Sequence, residues 1–114
     1  ELERARKVAT IVSVQNEYNL GNRESEAVLE RCERLGIAFL PWYPLGAGAA
    51  LRSSKVKSLS KKPGATPAQL ALACLLERSP VMLPIPGTSS LGHLEENLAA
   101  GGLKLSKEEL ALLG

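Results

Sequence analysis

Three short stretches carry the residue types that could recognise a ligand: Gln15-Asn16-Glu17-Tyr18-Asn19, Pro41-Trp42-Tyr43-Pro44-Leu45-Gly46 and Pro86-Gly87-Thr88-Ser89-Ser90. The Gln15 amide both donates and accepts hydrogen bonds, which matches a carboxamide. Trp42, the single tryptophan of the chain, offers a flat indole on which a heteroaromatic ring can stack. Gly87-Thr88-Ser89-Ser90 precedes a helical pattern, where hydroxyls and open backbone N–H groups would hold an anion. His93 is placed to pair with a phosphate, and Glu96 and Asn97, a turn further on, to meet a ribose or adenine edge. Each group also has an ordinary structural use. Gln15 suits a strand end that satisfies loop backbone, Trp42 a lid over the fold, and residues 87–90 a plain N-cap loop. His93, Glu96 and Asn97 suit a solvated helix surface. Taken together, an amide, an aromatic face and a hydroxyl-rich helix start fit a ligand with a carboxamide, a flat ring and phosphates. A nicotinamide dinucleotide is such a ligand.

The elements that must position these groups are legible in the apolar pattern. Three short runs read as buried strands: Ile11-Val12-Ser13-Val14-Gln15, Ile37-Ala38-Phe39-Leu40 and Val81-Met82-Leu83-Pro84-Ile85. The last two are nearly continuous in apolar residues, as expected for strands covered on both faces. A helix is expected over residues 24–35, with acids at its start, Arg31 and Arg34 near its end, and Gly36 as its stop. Thr66-Pro67-Ala68-Gln69 combines a capping Thr, a Pro in the first turn and a Gln three residues on. The helix it opens is apolar all round from Leu70 to Leu76, which predicts deep packing, and it ends at Ser79-Pro80. A third helix is expected from Leu91 to Gly101-Gly102, with Leu91, Leu94 and Leu98 on one face. Ser106-Lys107-Glu108-Glu109 is a second capping box, opening a short terminal helix. Residues 2–9 read as the end of a further helix, and residues 47–64 as a polar, Lys-rich stretch, part loop and part short helix.

Strands alternating with helices specify a parallel sheet with right-handed crossovers, whose ligands sit at the carboxyl ends of the strands. Three parallel strands alone leave two edges unpaired and one face uncovered, so the pattern reads as a slice of a larger fold, an expectation that the absence of an initiator Met at Glu1 supports weakly. Gly46-Ala47-Gly48-Ala49-Ala50-Leu51 begins like a dinucleotide fingerprint. The third glycine is replaced by Leu51, however, and no clear helix follows, so a Rossmann fold is rejected.

With 14 Lys and Arg against 12 Asp and Glu, the net charge of +2 gives no reason to expect nucleic-acid or membrane binding. No apolar run is long enough to span a bilayer, and nothing resembles a signal peptide, so a cytoplasmic location is expected. Cys32 and Cys74 fall on apolar helix faces without paired spacing, and His93 is the single histidine. Neither a disulfide framework nor a metal site is expected.

At the same three strand ends the sequence resembles the aldo-keto reductase family, over residues 11–113. Leu83-Pro84-Ile85-Pro86-Gly87-Thr88-Ser89-Ser90 followed by His93-Leu94-Glu95-Glu96-Asn97 resembles that family's last strand and the adenosine-phosphate site after it. Tyr43-Pro44-Leu45-Gly46 resembles the segment after the seventh strand, Val14 to Asn19 the end of the sixth, and Thr66 to Ala73 the helix between the last two strands. The resemblance implies an α/β fold that is a partial (β/α)8 TIM barrel. Residues 1–114 would be its C-terminal, cofactor-binding part: the last three βα units with parallel strands plus a short C-terminal helix.

The same resemblance implies an oxidoreductase that reduces aldehydes or ketones to alcohols with NADPH, NADH being a possible substitute. Gln15 would hold the nicotinamide carboxamide and Trp42 would stack on its ring. Pro44, Leu45 and Gly46 would pass along the pyrophosphate. Gly87, Thr88, Ser89 and His93 would surround the 2′-phosphate, with Glu96 and Asn97 facing the adenine. Many members carry Lys where this chain has Gly87, Arg where it has His93 and Ser where it has Tyr43. The first two departures remove fixed positive charge from the phosphate site and shift the load to Thr88, Ser89 and backbone N–H groups. The family's catalytic Asp, Tyr, Lys and His lie on the first four strands, which no segment here matches. No catalytic residue is therefore assigned, and the chain alone is expected to be inactive without the missing N-terminal part of the barrel. Self-association through exposed strand edges is a further expectation. So is the rival possibility of a non-catalytic half-barrel that binds nucleotide or a partner.

Overall fold

Two parallel strands form in a computed structural model that describes residues 1–60 and 64–113: β1 (Ser13–Glu17), two residues further along than the expected 11–15, and β2 (Ala38–Trp42), which extends the expected apolar run 37–40 to Trp42. Their register pairs Gln15 with Leu40 and Glu17 with Trp42. Successive strand side chains alternate faces. One face therefore turns Val14 and Phe39 into the core, and the other presents Ser13, Gln15, Leu40 and Trp42. Helix α1 (Leu2–Arg6) precedes β1 and α2 (Glu26–Leu35) forms the crossover between the strands. After β2 come a 3-10 turn (Gly46–Gly48) and the short helices α3 (Ala49–Arg52) and α4 (Ser54–Leu59). Helix α5 (Pro67–Arg78), α6 (Leu91–Ala99), a 3-10 turn (Ala100–Gly102) and α7 (Lys107–Leu113) complete the order.

The third expected strand, residues 81–85, is corrected to a single bridge. Met82 pairs in parallel with Phe39, the Phe39 N–H bonding the Val81 carbonyl at 2.8 Å and the Leu83 N–H bonding the Phe39 carbonyl at 2.8 Å. The next bond outward would need an N–H from residue 41, which is proline and has none. The segment thus occupies the third parallel position without building a ladder. Pro84 and Pro86, at alternate positions, supply no donors of their own.

Local signals set most helix ends. In α5 the Thr66 hydroxyl accepts from the Gln69 N–H and the Gln69 side chain accepts from the Thr66 N–H, with Pro67 in the first turn. Ser106 and Glu109 cap α7 in the same reciprocal way. Gly36 closes α2 in the left-handed conformation at φ +64°, which costs glycine little. Two expectations shift. Helix α2 starts at Glu26 rather than residue 24, with Ser25 as its N-cap residue in non-helical backbone and its hydroxyl accepting from the Asn16 amide at 3.2 Å. Helix α1 ends at Arg6 rather than residue 9, leaving Val8 89% exposed. The Lys-rich stretch is mostly α3 and α4, and its residues 61–63 lie outside the described residues.

Helix α5 is apolar on every side because it faces two cores. Leu75 enters the cluster of Tyr18, Leu29, Cys32, Ile37, Phe39 and Met82 between the sheet and α2. Leu70 and Cys74 enter a second cluster with Val56, Leu59 and Leu113. Each fully buried leucine of this kind contributes about 1.5–3 kcal/mol by leaving water. Helix α6 behaves differently. Its leucines align as expected, yet Leu91, Leu94 and Leu98 remain 72%, 45% and 71% exposed.

Candidate functional site

Past the carboxyl end of β2 the backbone turns sharply. Tyr43 and Ala47 take positive φ values of 55° and 49°, and Gly46 and Gly48 of 56° and 83°. Left-handed backbone at a residue with a Cβ costs about 1–2 kcal/mol, so tertiary contacts must hold this turn. Its first residues expose two rings: Trp42 is 39% and Tyr43 55% accessible, packed edge to face with centroids 5.4 Å apart. Gln15 lies on the same sheet face as Trp42, exposed, two pairing positions before it.

A groove of about 270 Å³ lies between the turn after β2, the start of α5 and the start of α6. Its walls include Leu45, Leu51, Thr66 to Ala68, Gly87, Thr88, His93, Glu96 and Asn97. Two helix N-termini thus face one space, and unpaired N–H groups at such ends favour negative charge. The Thr88 hydroxyl accepts from the Ser90 N–H at 3.1 Å, which shapes the loop. The Ser90 hydroxyl accepts from the His93 backbone N–H at 3.3 Å and caps α6, whose first turn places His93 at the groove wall. The Glu96 side chain joins α6 to the start of α5 at the groove wall. It accepts from the Thr66 hydroxyl at 3.5 Å, while the Gln69 amide donates to the Glu96 carbonyl at 3.1 Å.

Six of the residues singled out in the sequence are therefore brought together: Leu45, Gly87, Thr88, His93, Glu96 and Asn97. Gln15, Trp42, Pro44, Gly46 and Ser89 do not line this groove. Gln15 and Trp42 share the sheet face, Pro44 is buried, Gly46 is half-buried and Ser89 is exposed. Sequence reasoning missed the α5 wall, because the capping box that starts the helix carries no sign of what the helix start will face.

It also missed the polar cluster that supports the β1 end. The Tyr18 hydroxyl donates to the Glu26 carboxylate at 2.5 Å and accepts from Arg23 at 2.6 Å. Arg78, from α5, pairs with the same carboxylate and lies 3.7 Å from Glu33. Burial opposes ionisation of Glu26, but the Tyr18 hydroxyl and the Arg78 and Arg23 guanidiniums outweigh it and hold the carboxyl below its usual range. Burial, followed by the Glu26 carboxylate, pushes the Tyr18 phenol up, so it remains a protonated donor. Burial likewise raises the thiols of Cys32 and Cys74, both free. Among the described residues no cluster of His, Cys, Asp or Glu has a metal-binding arrangement, and no helix is long and apolar enough to cross a membrane.

Comparison with known proteins agrees with this geometry. The sequence profile of the Aldo/keto reductase family matches residues 1–113. An uncharacterised oxidoreductase of Schizosaccharomyces pombe is 50% identical over 114 residues, covering 99% of this chain and 37% of that protein. Pyridoxine 4-dehydrogenase of Escherichia coli K12 is 50% identical over 113 residues, covering 99% and 40%. Among solved structures, a thermostable aldo-keto reductase in complex with the inhibitor epalrestat superposes with a TM-score of 0.88 at 36% identity, over 98% of this chain and 43% of that one. An aldo/keto reductase from Klebsiella pneumoniae in complex with NADP and acetate gives 0.82 at 33% identity, over 90% and 38%. The chain thus spans about two fifths of the length of the curated relatives it matches. Its parallel strands, its crossover helices and the groove at their carboxyl ends are those of part of a (β/α) barrel, and the chain belongs to the aldo/keto reductase family.

Proposed function

We propose that this chain forms the nicotinamide dinucleotide-binding part of an NADPH-dependent reductase of small-molecule aldehydes or ketones. The observation that carries the reading is the groove, where the hydroxyl of Thr88, the imidazole of His93 and two helix N-termini surround one space. When bound, a dinucleotide of this kind supplies a hydride. This chain's residues hold and orient it. Thr88, Ser89, His93 and the backbone at Gly87 receive the 2′-phosphate, Asn97 and Glu96 the adenine side, and Pro44 to Gly46 the pyrophosphate. Gln15 binds the carboxamide, and Trp42, on the same sheet face, stacks on the ring. The donor set fits. Glu96, which lines the same groove, has its carboxylate bonded by the Thr66 hydroxyl. Since no Lys or Arg lines the groove among the described residues, hydroxyls and helix ends replace fixed charge, and NADPH is preferred over NADH by a modest factor.

No catalytic residue is assigned. The Tyr18 hydroxyl is buried and committed to Glu26 and Arg23, and proton transfer belongs to segments of the relatives that this chain does not cover. The two free, buried thiols suit a reducing cytoplasm.

Titration of the isotope-labelled chain with NADPH, followed by amide chemical shifts, tests the binding role. Expected is a weak, saturable response at Gln15, Trp42, Leu45, Gly46, Thr88, His93 and Asn97, reduced by Thr88→Ala. Shifts that are absent at millimolar NADPH, or scattered over the surface, refute it. The chain alone is expected to reduce no aldehyde, and measurable turnover would overturn the assignment of catalysis elsewhere.

A further inference from the structure

We infer that Asn19, which touches none of the groups expected to meet the dinucleotide except the backbone of the Gly46 turn, is the residue that holds Trp42 and that turn in a ligand-ready conformation. The inference rests on the nucleotide-binding reading above. Asn19 is 5% exposed, one of two buried polar residues among those described, the other being Ser79. All of its polar groups are engaged at the junction of two strand ends. The side-chain oxygen accepts from the Gly21 N–H at 2.9 Å, and its backbone exchanges bonds with Asn22 at 3.0 and 3.2 Å. That local bracket fixes the rotamer and orients the amide NH2 group. The NH2 then donates across the sheet end to the Tyr43 carbonyl at 3.1 Å.

Tyr43 is the residue that enters the left-handed region despite its side chain, at φ +55°. The Tyr43 carbonyl also accepts from the Gly46 N–H at 2.8 Å, a bond inside the turn, so the Asn19 amide is the donor that ties this turn to the end of β1. Without that tie, the peptide would relax to negative φ and swing Trp42 and Leu45 apart. The amide also lies flat against Gly46. A Cβ built there would stand 3.4–3.5 Å from the Asn19 Cγ, Oδ1 and Nδ2. Gly46 itself holds φ +56°, so the close approach and the turn select the same residue. A short, bracketed amide is thus wedged between a strained carbonyl and a bare glycine. Removing the strain at Tyr43 should make the wedge dispensable, which a residue that merely fills core volume would not permit.

The test compares Asn19→Ala in the natural background and in the Tyr43→Gly background, where glycine takes positive φ without a steric cost. With the full chain, acrylamide quenching of Trp42 is measured without ligand, and NADPH affinity from the quenching of the same emission. Asn19→Ala is expected to raise Trp42 accessibility and to weaken NADPH binding about tenfold. In the Tyr43→Gly background the same change should weaken it less than about threefold and leave accessibility unaltered. Equal losses in both backgrounds, or no loss in either, overturn the role of Asn19. Asn19→Asp keeps the size and the bond from Gly21 while placing an anion against the Tyr43 carbonyl, and it should behave as Asn19→Ala does. A folded Asn19→Asp protein with natural accessibility counts against the inference. If the natural chain binds no NADPH, the nucleotide reading fails, while the ligand-free quenching still decides the role of Asn19.

Discussion

Tyr18→Phe removes one oxygen atom from the base of the site and leaves the packing intact. The ring is fully buried and meets Phe39 edge to face at 5.8 Å, and phenylalanine preserves both features. Two hydrogen bonds are lost, one to the Glu26 carboxylate and one from Arg23. A hydrogen bond to a charged partner contributes about 1.5–3 kcal/mol. Glu26 keeps Arg78, and the Glu26 and Arg23 side chains are 33% and 31% exposed, so water replaces part of what is lost. The expected destabilisation is therefore about 1–2 kcal/mol, seen as a lower urea midpoint at unchanged m-value. The pH dependence sharpens the test. The Glu26 carboxyl lies below its ordinary value of 4.5 in the folded chain, so the unfolded chain takes up the proton first. Its contribution is complete above about pH 5.5 and is lost as pH falls through 4.5 toward the folded value. The gap between Tyr18→Phe and the natural chain should accordingly narrow from pH 7 toward pH 3. A loss below about 0.5 kcal/mol, the range of an ordinary surface change, or a gap that stays constant with pH, would refute the ion network as a stabilising unit.

Other perturbations separate local from tertiary causes. Thr66→Ala deletes one half of the α5 capping box and should cost about 1 kcal/mol in urea unfolding. Gly36→Ala meets no atom within 4 Å, so its expected loss of about 1 kcal/mol comes wholly from left-handed backbone; no loss would show that the cap relaxes. Leu75→Ala, at a fully buried position, should cost about 2–5 kcal/mol, whereas Leu98→Ala, 71% exposed, should stay within about 0.5 kcal/mol.

What the sequence made legible was local chemistry. Thr66 and Gln69, Ser106 and Glu109, and Gly36 state their roles within four residues, and the structure forms each of those caps. The groove residues Gly87 to Asn97 were legible because a loop and the first turns of one helix carry them. Pairwise geometry across the fold was not. Tyr18 and Arg78 meet at Glu26 from 8 and 52 residues away, with no periodicity to announce it. The strand expected at 81–85 failed on a proline in its neighbour, a condition invisible in the segment itself. The leucine stripe of α6 was legible in spacing, while its exposure was not, since periodicity specifies a face and not what covers it.

The prolines of that third segment also decide what its outer margin can bond. Residues 81 and 83 turn their bonding groups toward β2, so Pro84 and Pro86 turn theirs outward, where they offer carbonyls and no N–H. The Met82 N–H is already spent on the Ser79 carbonyl at 3.1 Å. This margin can therefore only accept, and it cannot template the two-way ladder that seeds amyloid-like stacking.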